Sequence, residues 1–214
     1  MSVIAPCVTA ESTDDYKIQV GRIHTFAERV HIDISDGEFT PTFLVDANQV
    51  WWPENWQVDI HAMVQRPAEQ LPALLSVKPS LIILHAEAEG DIVQMLQKIK
   101  SVGIKAGVAL QRSTVPGDVV PMIQAADHVM IFSGTLGHFG GTANLMQLEK
   151  IRLVKAINPG VEIGWDGGVA VDNAYNLTQG GVDVLNAGGA IQKAPDPKAA
   201  YDTLVSEINK HGII

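Results

Sequence analysis

The stretch RVHIDISDGEF, residues 29–39, places His31, Asp33 and Asp36 in and just after a short apolar run. Read as a β-strand, its alternate side chains share a face. His31, Asp33 and Ser35 then point one way, and Val30, Ile32 and Ile34 point the other. Asp36 falls on the apolar side just as the chain reaches Gly37, and it reads as a turn residue. An imidazole beside a carboxylate on one strand face suits a metal site or proton transfer. The competing reading is the solvated face of an edge strand, and the rest of the chain has to decide.

Similar β-rich runs recur at residues 3–8, 57–61, 81–85, 105–109, 128–132, 162–165 and 182–186. Between them lie segments with helical spacing, at 14–26, 67–77, 92–102, 117–125, 145–157, 172–180 and 197–210. The connection over 39–56 is irregular; its VWWPENW is expected to tuck Trp51, Trp52 and Trp56 under the loop rather than over a site. Each crossover has the length a βαβ unit needs, and no linker or shift in composition divides the chain. This order predicts a single-domain (β/α)₈ barrel, a TIM barrel, over residues 1–214, lean for that fold. A doubly wound sheet is the alternative, but no G-x-G-x-x-G turn follows the first run.

The formal net charge of −9 argues against nucleic acid as a partner, because phosphate neutralisation needs clustered Lys and Arg. It leaves room for a small anion held by local backbone dipoles. Cys7 is the only cysteine, so no internal disulfide forms and a reducing compartment is expected. No apolar run reaches membrane-spanning length and no leader-like opening is seen, so a cytoplasmic protein without membrane contact is expected.

Barrels of this kind build their sites at the carboxyl ends of the strands. His31 and Asp33 end the second run, His61 ends the third in VDIHAMV, and Asp166 follows the seventh in IGWDGGV. Two imidazoles and two carboxylates on one rim predict a divalent metal, with Zn²⁺ the leading candidate over Fe²⁺, Mn²⁺ or Co²⁺. Asp59, deeper on the face of His61, either orients that imidazole or makes a structural hydrogen bond. His85 and Glu87 either line the rim or, the favoured reading, serve the fold. Glycine-rich turns follow the last strands: GHFGG, which includes His138 and Phe139, then DGG and AGGA. Glycine lets a backbone approach a phosphate closely. Metal on early strands and phosphate on late ones imply a short phosphorylated substrate stretched between them.

In IAPCV, VHIDISDGEFTP, VDIHAMV, GIKAGVAL, HFGG, WDGGV, DVLNAGGAI and APDP the chain resembles the ribulose-phosphate 3-epimerases, over nearly its whole length. The resemblance implies one divalent metal held by His31, Asp33, His61 and Asp166, with Asp33 and Asp166 as the two acid/base residues. It also implies Gly140, Gly141, Gly167, Gly168, Gly188 and Gly189 around the phosphate, and a homo-oligomer, either dimer or hexamer. The reaction implied is inversion at C3 of D-ribulose 5-phosphate to give D-xylulose 5-phosphate, or of a close analogue.

The chain also departs from the family's pattern. Cys7 stands where a serine near the substrate is usual, Thr42 replaces an asparagine, and Ser35 and Phe132 replace site-lining methionines, although Met63 remains. The SGTLGHFGGT loop is longer by one residue and lacks a proline, and Gly189 stands in place of a serine. The metal and acid/base set is intact while the shell around the substrate has drifted. Alternatives are therefore an epimerase of another ketose phosphate, such as a hexulose 6-phosphate, or a non-catalytic phosphosugar-binding barrel. A decarboxylase of the orotidine-phosphate type would carry Asp-x-Lys-x-x-Asp on the third strand, which reads DIHAMV here.

Overall fold

Eight parallel strands close into a barrel in sequence order. They are β1 (Val3–Thr9), β2 (Arg29–Ser35), β3 (Gln57–Met63), β4 (Leu81–His85), β5 (Lys105–Leu110), β6 (His128–Phe132), β7 (Glu162–Asp166) and β8 (Val184–Ala187). The computed structural model describes residues 2–138 and 141–210. Helix α1 (Thr13–Ile23) follows β1, α2 (Pro67–Ser76) follows β3, and α3 (Ile92–Ser101) follows β4. Then α4 (Val120–Ala125), α5 (Glu149–Ile157) and α6 (Val171–Gln179) follow β5, β6 and β7. After β8 come α7 (Gly189–Gln192) and α8 (Pro197–Ile208). None of these helices is long and apolar enough to cross a membrane.

The alternation of β2 is realised as a two-sided burial. Val30, Ile32 and Ile34 join the large apolar cluster between strands and helices, which also takes in Tyr16, Leu74, Leu96, Val154 and Leu204. Inside the barrel a second, small cluster of Leu81, Ile83, Ala109, Met130 and Phe132 fills one side. The β2–β3 crossover contains no helix. Trp56 is buried beneath it, and the Tyr16 hydroxyl donates to the Trp51 carbonyl at 2.6 Å. The three tryptophans thus serve the loop, with only Trp51 half exposed.

Several connectors differ in detail from their periodicity. The segments over 117–125 and 145–157 each open as a 3₁₀ turn, at Pro116–Val119 and Leu145–Leu148. Pro116 and Pro121 have no N–H to give an α-helical ladder, and Asn144 caps the second turn by accepting from the Met146 amide. β8 starts at Val184, and the Val182 amide before it is bonded to the Leu177 carbonyl in the last turn of α6. α7 has four residues, too few to leave a periodic signal.

The floor of the barrel is ionic. Arg29 donates to Asp59 at 2.6 Å and, with both terminal nitrogens, to Glu162 at 2.9 and 2.8 Å. His128 Nδ1 lies 2.7 Å from Glu162. A side chain at Gly164 would put its Cβ 2.3 Å from His128 Nε2, so glycine is needed there. Burial works against ionised Glu162, but the hydrogen bonds from Arg29 and His128 outweigh it and hold the carboxyl below its usual range. A lowered carboxyl contributes stability that is complete above the unfolded value near 4.3 and is lost as pH falls toward the folded value. Glu162→Gln is therefore expected to destabilise the fold by about 2–3 kcal/mol at pH 7. In denaturant melts the gap between variant and parent should narrow steadily below about pH 4. A gap independent of pH would show that the ion pair contributes nothing.

Candidate active site

The register of the barrel brings the polar strand ends together. β2 and β3 run side by side with Asp33 opposite His61, and β7 delivers Asp166 next to Phe132 and Asn186 of its neighbours. His61 Nδ1 lies 2.8 Å from Asp33 Oδ1 and 3.8 Å from Asp166 Oδ2. His31 Nε2 lies 3.4 Å from Asp33 Oδ1 and 4.0 Å from Asp166 Oδ2. One ligand atom from each of the four residues falls within 4.8 Å of the others. Both imidazoles are fully buried, and neither nitrogen of His31 has a hydrogen-bond partner among the described residues. A buried, unbonded nitrogen aimed at two carboxylates, with a second nitrogen beside it, is the donor set a borderline divalent cation takes.

The electrostatics separate the two aspartates. Burial would raise Asp33, yet the imidazoles of His31 and His61 close beside it outweigh that and hold this carboxyl well below the usual range. Asp166 is pushed up, first by burial and then by the charge of Asp33. Burial also opposes protonation of His31, but Asp33 and Asp166 bring its value above normal. Cys7 remains a thiol, raised by burial and by both carboxylates.

Above the cluster opens a cavity of about 270 Å³. Asp33 and Asp166 form part of its wall, with Cys7, Met63 and His138. Gly141, Gly167, Gly168, Gly188 and Gly189 line its other side, as the turns after β6, β7 and β8. Phe139 and Gly140 lie outside the described residues. Gly167 and Gly168 have φ of +100° and +75°, and their added Cβ atoms would meet the Gly134 and Ala143 amides at 2.0 and 2.2 Å. Only glycine serves this turn, on both counts.

Other residues have roles that spacing alone left open. Asp59 meets Arg29 at the floor and not His61. Asp36 is a turn residue, accepting from the amides of Glu38, Phe39 and Gln65. His85 Nε2 contacts His61 Nε2 at 2.8 Å from behind, and its Nδ1 lies 3.1 Å from Glu87. Burial lowers His85 to about 4, with Glu87 opposing, so the ring is neutral near pH 7. The altered shell is internally tied: Ser35 donates to the Thr42 carbonyl, and the Thr42 hydroxyl is 3.1 Å from His138 Nε2.

Three cavity residues were not anticipated. Thr9 donates to Asp33 Oδ2 at 2.5 Å, Asn186 has a buried oxygen without a partner, and Lys193 is the one lysine or arginine lining the cavity among the described residues. Thr9 stands two residues after Cys7 and opposite Asp33, so strand alternation contained its signal. A wider cavity of about 750 Å³ adjoins the first, shares Thr9, Gly137, His138 and Lys193 with it, and runs out over Arg22.

Fold and site together define a (β/α)₈ barrel with a two-histidine, two-aspartate cluster under a glycine-lined cavity. The model of the ribulose-phosphate 3 epimerase family matches residues 3–192. The ribulose-phosphate 3-epimerase of Helicobacter pylori (strain ATCC 700392 / 26695) is 32% identical over 186 residues, spanning 83% of this chain and 85% of that one. That of Escherichia coli (strain K12) is 30% identical over 193 residues, spanning 86% and 85%. The chain belongs to the ribulose-phosphate 3-epimerase family. A solved structure of 3-hexulose-6-phosphate synthase from Salmonella typhimurium matches with a TM-score of 0.73 at 13% identity, over 98% of this chain and 100% of that one. That likeness is one of fold.

Proposed function

We propose that the protein is a metal-dependent epimerase that inverts C3 of a ketose phosphate, interconverting D-ribulose 5-phosphate and D-xylulose 5-phosphate. The observation that carries this reading is the meeting of Asp33 and Asp166, from strands not adjacent in the barrel, over two buried imidazoles and below a small cavity. Inversion next to a ketone requires a proton to leave on one face and another to arrive on the opposite face. One aspartate, ionised, takes the C3 proton, and the C–H electron pair moves into the C2–C3 bond as the C2 oxygen becomes an oxyanion. The second aspartate, protonated, then delivers its proton to the other face of C3, the C2–C3 double-bond pair forming the new C–H bond as the C2 oxyanion returns to the ketone, and the two aspartates have exchanged protonation states. In the metal-free site the two carboxyls are displaced in opposite directions, in keeping with that division.

His31, Asp33, His61 and Asp166 would hold the divalent cation, with Zn²⁺ favoured by the mixed nitrogen and oxygen set. Such an ion supplies positive charge beside the ene-diolate oxygens. The volume of about 270 Å³ suits a short sugar phosphate, with its phosphate against the glycine turns and Lys193. A cytoplasmic homo-oligomer completes the reading. The direct test is conversion of D-ribulose 5-phosphate followed by solvent deuterium entry at C3. No turnover of any pentulose or hexulose phosphate by metal-loaded protein would sink it. One observation favours a longer sugar: the adjoining cavity gives room beyond Thr9 and His138. Preference for a hexulose 6-phosphate in the same screen would select that reading.

The phosphate end gives a graded prediction. Lys193→Ala is expected to raise KM about tenfold by removing one charge-assisted contact, with kcat little changed. Gly188→Asp, which adds bulk and negative charge, should raise it more than about 100-fold. Unchanged KM values in steady-state assays would locate the phosphate elsewhere.

A further inference from the structure

We infer that His85 and Glu87 form with His61 a hydrogen-bonded relay that fixes the tautomer of His61 and so directs its Nδ1 lone pair to the cation. The inference rests on the proposed metal site, for which His85 and Glu87 are positioning residues. Its origin is a proton count. Glu87 takes the Gln111 amide at 2.9 Å and the Thr114 hydroxyl on Oε1, and His85 Nδ1 on Oε2 at 3.1 Å. A carboxylate gathering three donors is an ionised acceptor, so His85 Nδ1 carries a proton. A ring fully buried between Phe39 and Phe132 carries that single proton, which leaves His85 Nε2 bare.

The next contact follows from this one. His61 Nε2 and His85 Nε2 lie 2.8 Å apart, and two bare nitrogens would repel at that distance. With His85 Nε2 as the acceptor, His61 Nε2 must be the donor. The remaining nitrogen of His61, Nδ1, faces Asp33 Oδ1 at 2.8 Å and Asp166 Oδ2 at 3.8 Å. There it shares either a proton or a metal ion with the carboxylates. Both rings are fully buried, and aromatic neighbours restrict their rotation. Phe39 lies 4.6 Å from His85 by ring centroids, and Phe132 lies 5.9 Å from each histidine.

His31 offers the contrast. Among the described residues neither of its nitrogens has a hydrogen-bond partner, and its Nε2 faces Asp33 at 3.4 Å, so no group outside the cluster selects its tautomer. One imidazole of the site is set in advance from the loop after β4, and the other has no such outer partner among the described residues. Outer partners of a ligating histidine fix its orientation and commonly contribute 10–100-fold in metal affinity. The relay reaches three groups deep, to a glutamate that touches neither metal ligand nor cavity wall.

The test uses the full chain, imidazole ¹⁵N chemical shifts and Zn²⁺ affinity by chelator competition. His85 should show a protonated Nδ1 and a bare Nε2 in both metal-free and Zn²⁺-loaded protein. Glu87→Gln, whose amide can donate as well as accept, should turn that single tautomer into a mixture. His85→Leu, similar in bulk but without polar atoms, should weaken Zn²⁺ binding about 10–100-fold. His85→Gln should restore it to within a few-fold, since its oxygen can accept from His61 while its amide donates to Glu87. A merely structural role would not produce that rescue together with the tautomer change. A protonated Nε2 on His85, or wild-type affinity in a folded His85→Leu, would overturn the relay. If the parent protein binds no Zn²⁺, the metal reading fails, while the His85 shifts still decide the relay on their own.

Discussion

Asp166→Asn is expected to slow epimerisation by about 10²–10⁴-fold while proton exchange at one face of the substrate carbon stays measurable. The reason is the proposed division of labour between two acids that reach the cavity from β2 and β7. In the proposed mechanism each serves its own face, so loss of one should remove the exchange on that face. The other can still take and return its own proton. Asp33→Asn should give the mirror-image pattern, with the surviving exchange starting from the opposite epimer. Solvent deuterium wash-in, measured from each epimer separately, reads this out. Both residues belong to the metal cluster, so the variants must be shown to retain the cation. Near wild-type epimerisation in both would mean that neither is the base, and the chain would then be a sugar-phosphate barrel of different chemistry.

His61→Ala should abolish turnover through a different route. It removes one of two nitrogen donors and leaves the relay from Glu87 ending in a void. Affinity for Zn²⁺ is expected to fall by more than about 100-fold, beyond the usual effect of an outer partner. Folding should survive, although a fully buried ring replaced by a methyl group costs about 2–5 kcal/mol. A cation that binds only the native state raises the melting temperature in proportion to the logarithm of its concentration. The parent should show that rise and His61→Ala should not, a readout independent of catalysis. Full activity in a preparation shown to be free of metal would end the proposal.

The strand order and the four-residue cluster were legible in the sequence because both depend on alternation. Once β2 is a strand, His31 and Asp33 must share its inner face, and the barrel closes that face toward the axis. The part that escaped depends on register between strands, which spacing along the chain does not encode. His85 lies beyond the rung where His61 meets Ile83, and only that offset puts its ring against His61. Asn186 and Lys193 escaped for a simpler reason: a single polar residue in a short strand, or after a four-residue helix, leaves no pattern. The 3₁₀ openings reflect prolines and a local cap acting within a segment whose apolar spacing is helical.

The pairing of β1 with β8, from Val3 against Val184 to Pro6 against Ala187, bears on how the chain is made. During synthesis the strand that seals the barrel is the last to leave the ribosome, and until then β1 waits with an open edge. His31, Asp33 and His61 emerge early and together, whereas Asp166 follows much later. A nascent chain therefore holds three donors without the fourth. A cation held by the proposed cluster would meet its full donor set only once β7 has been laid down, shortly before closure.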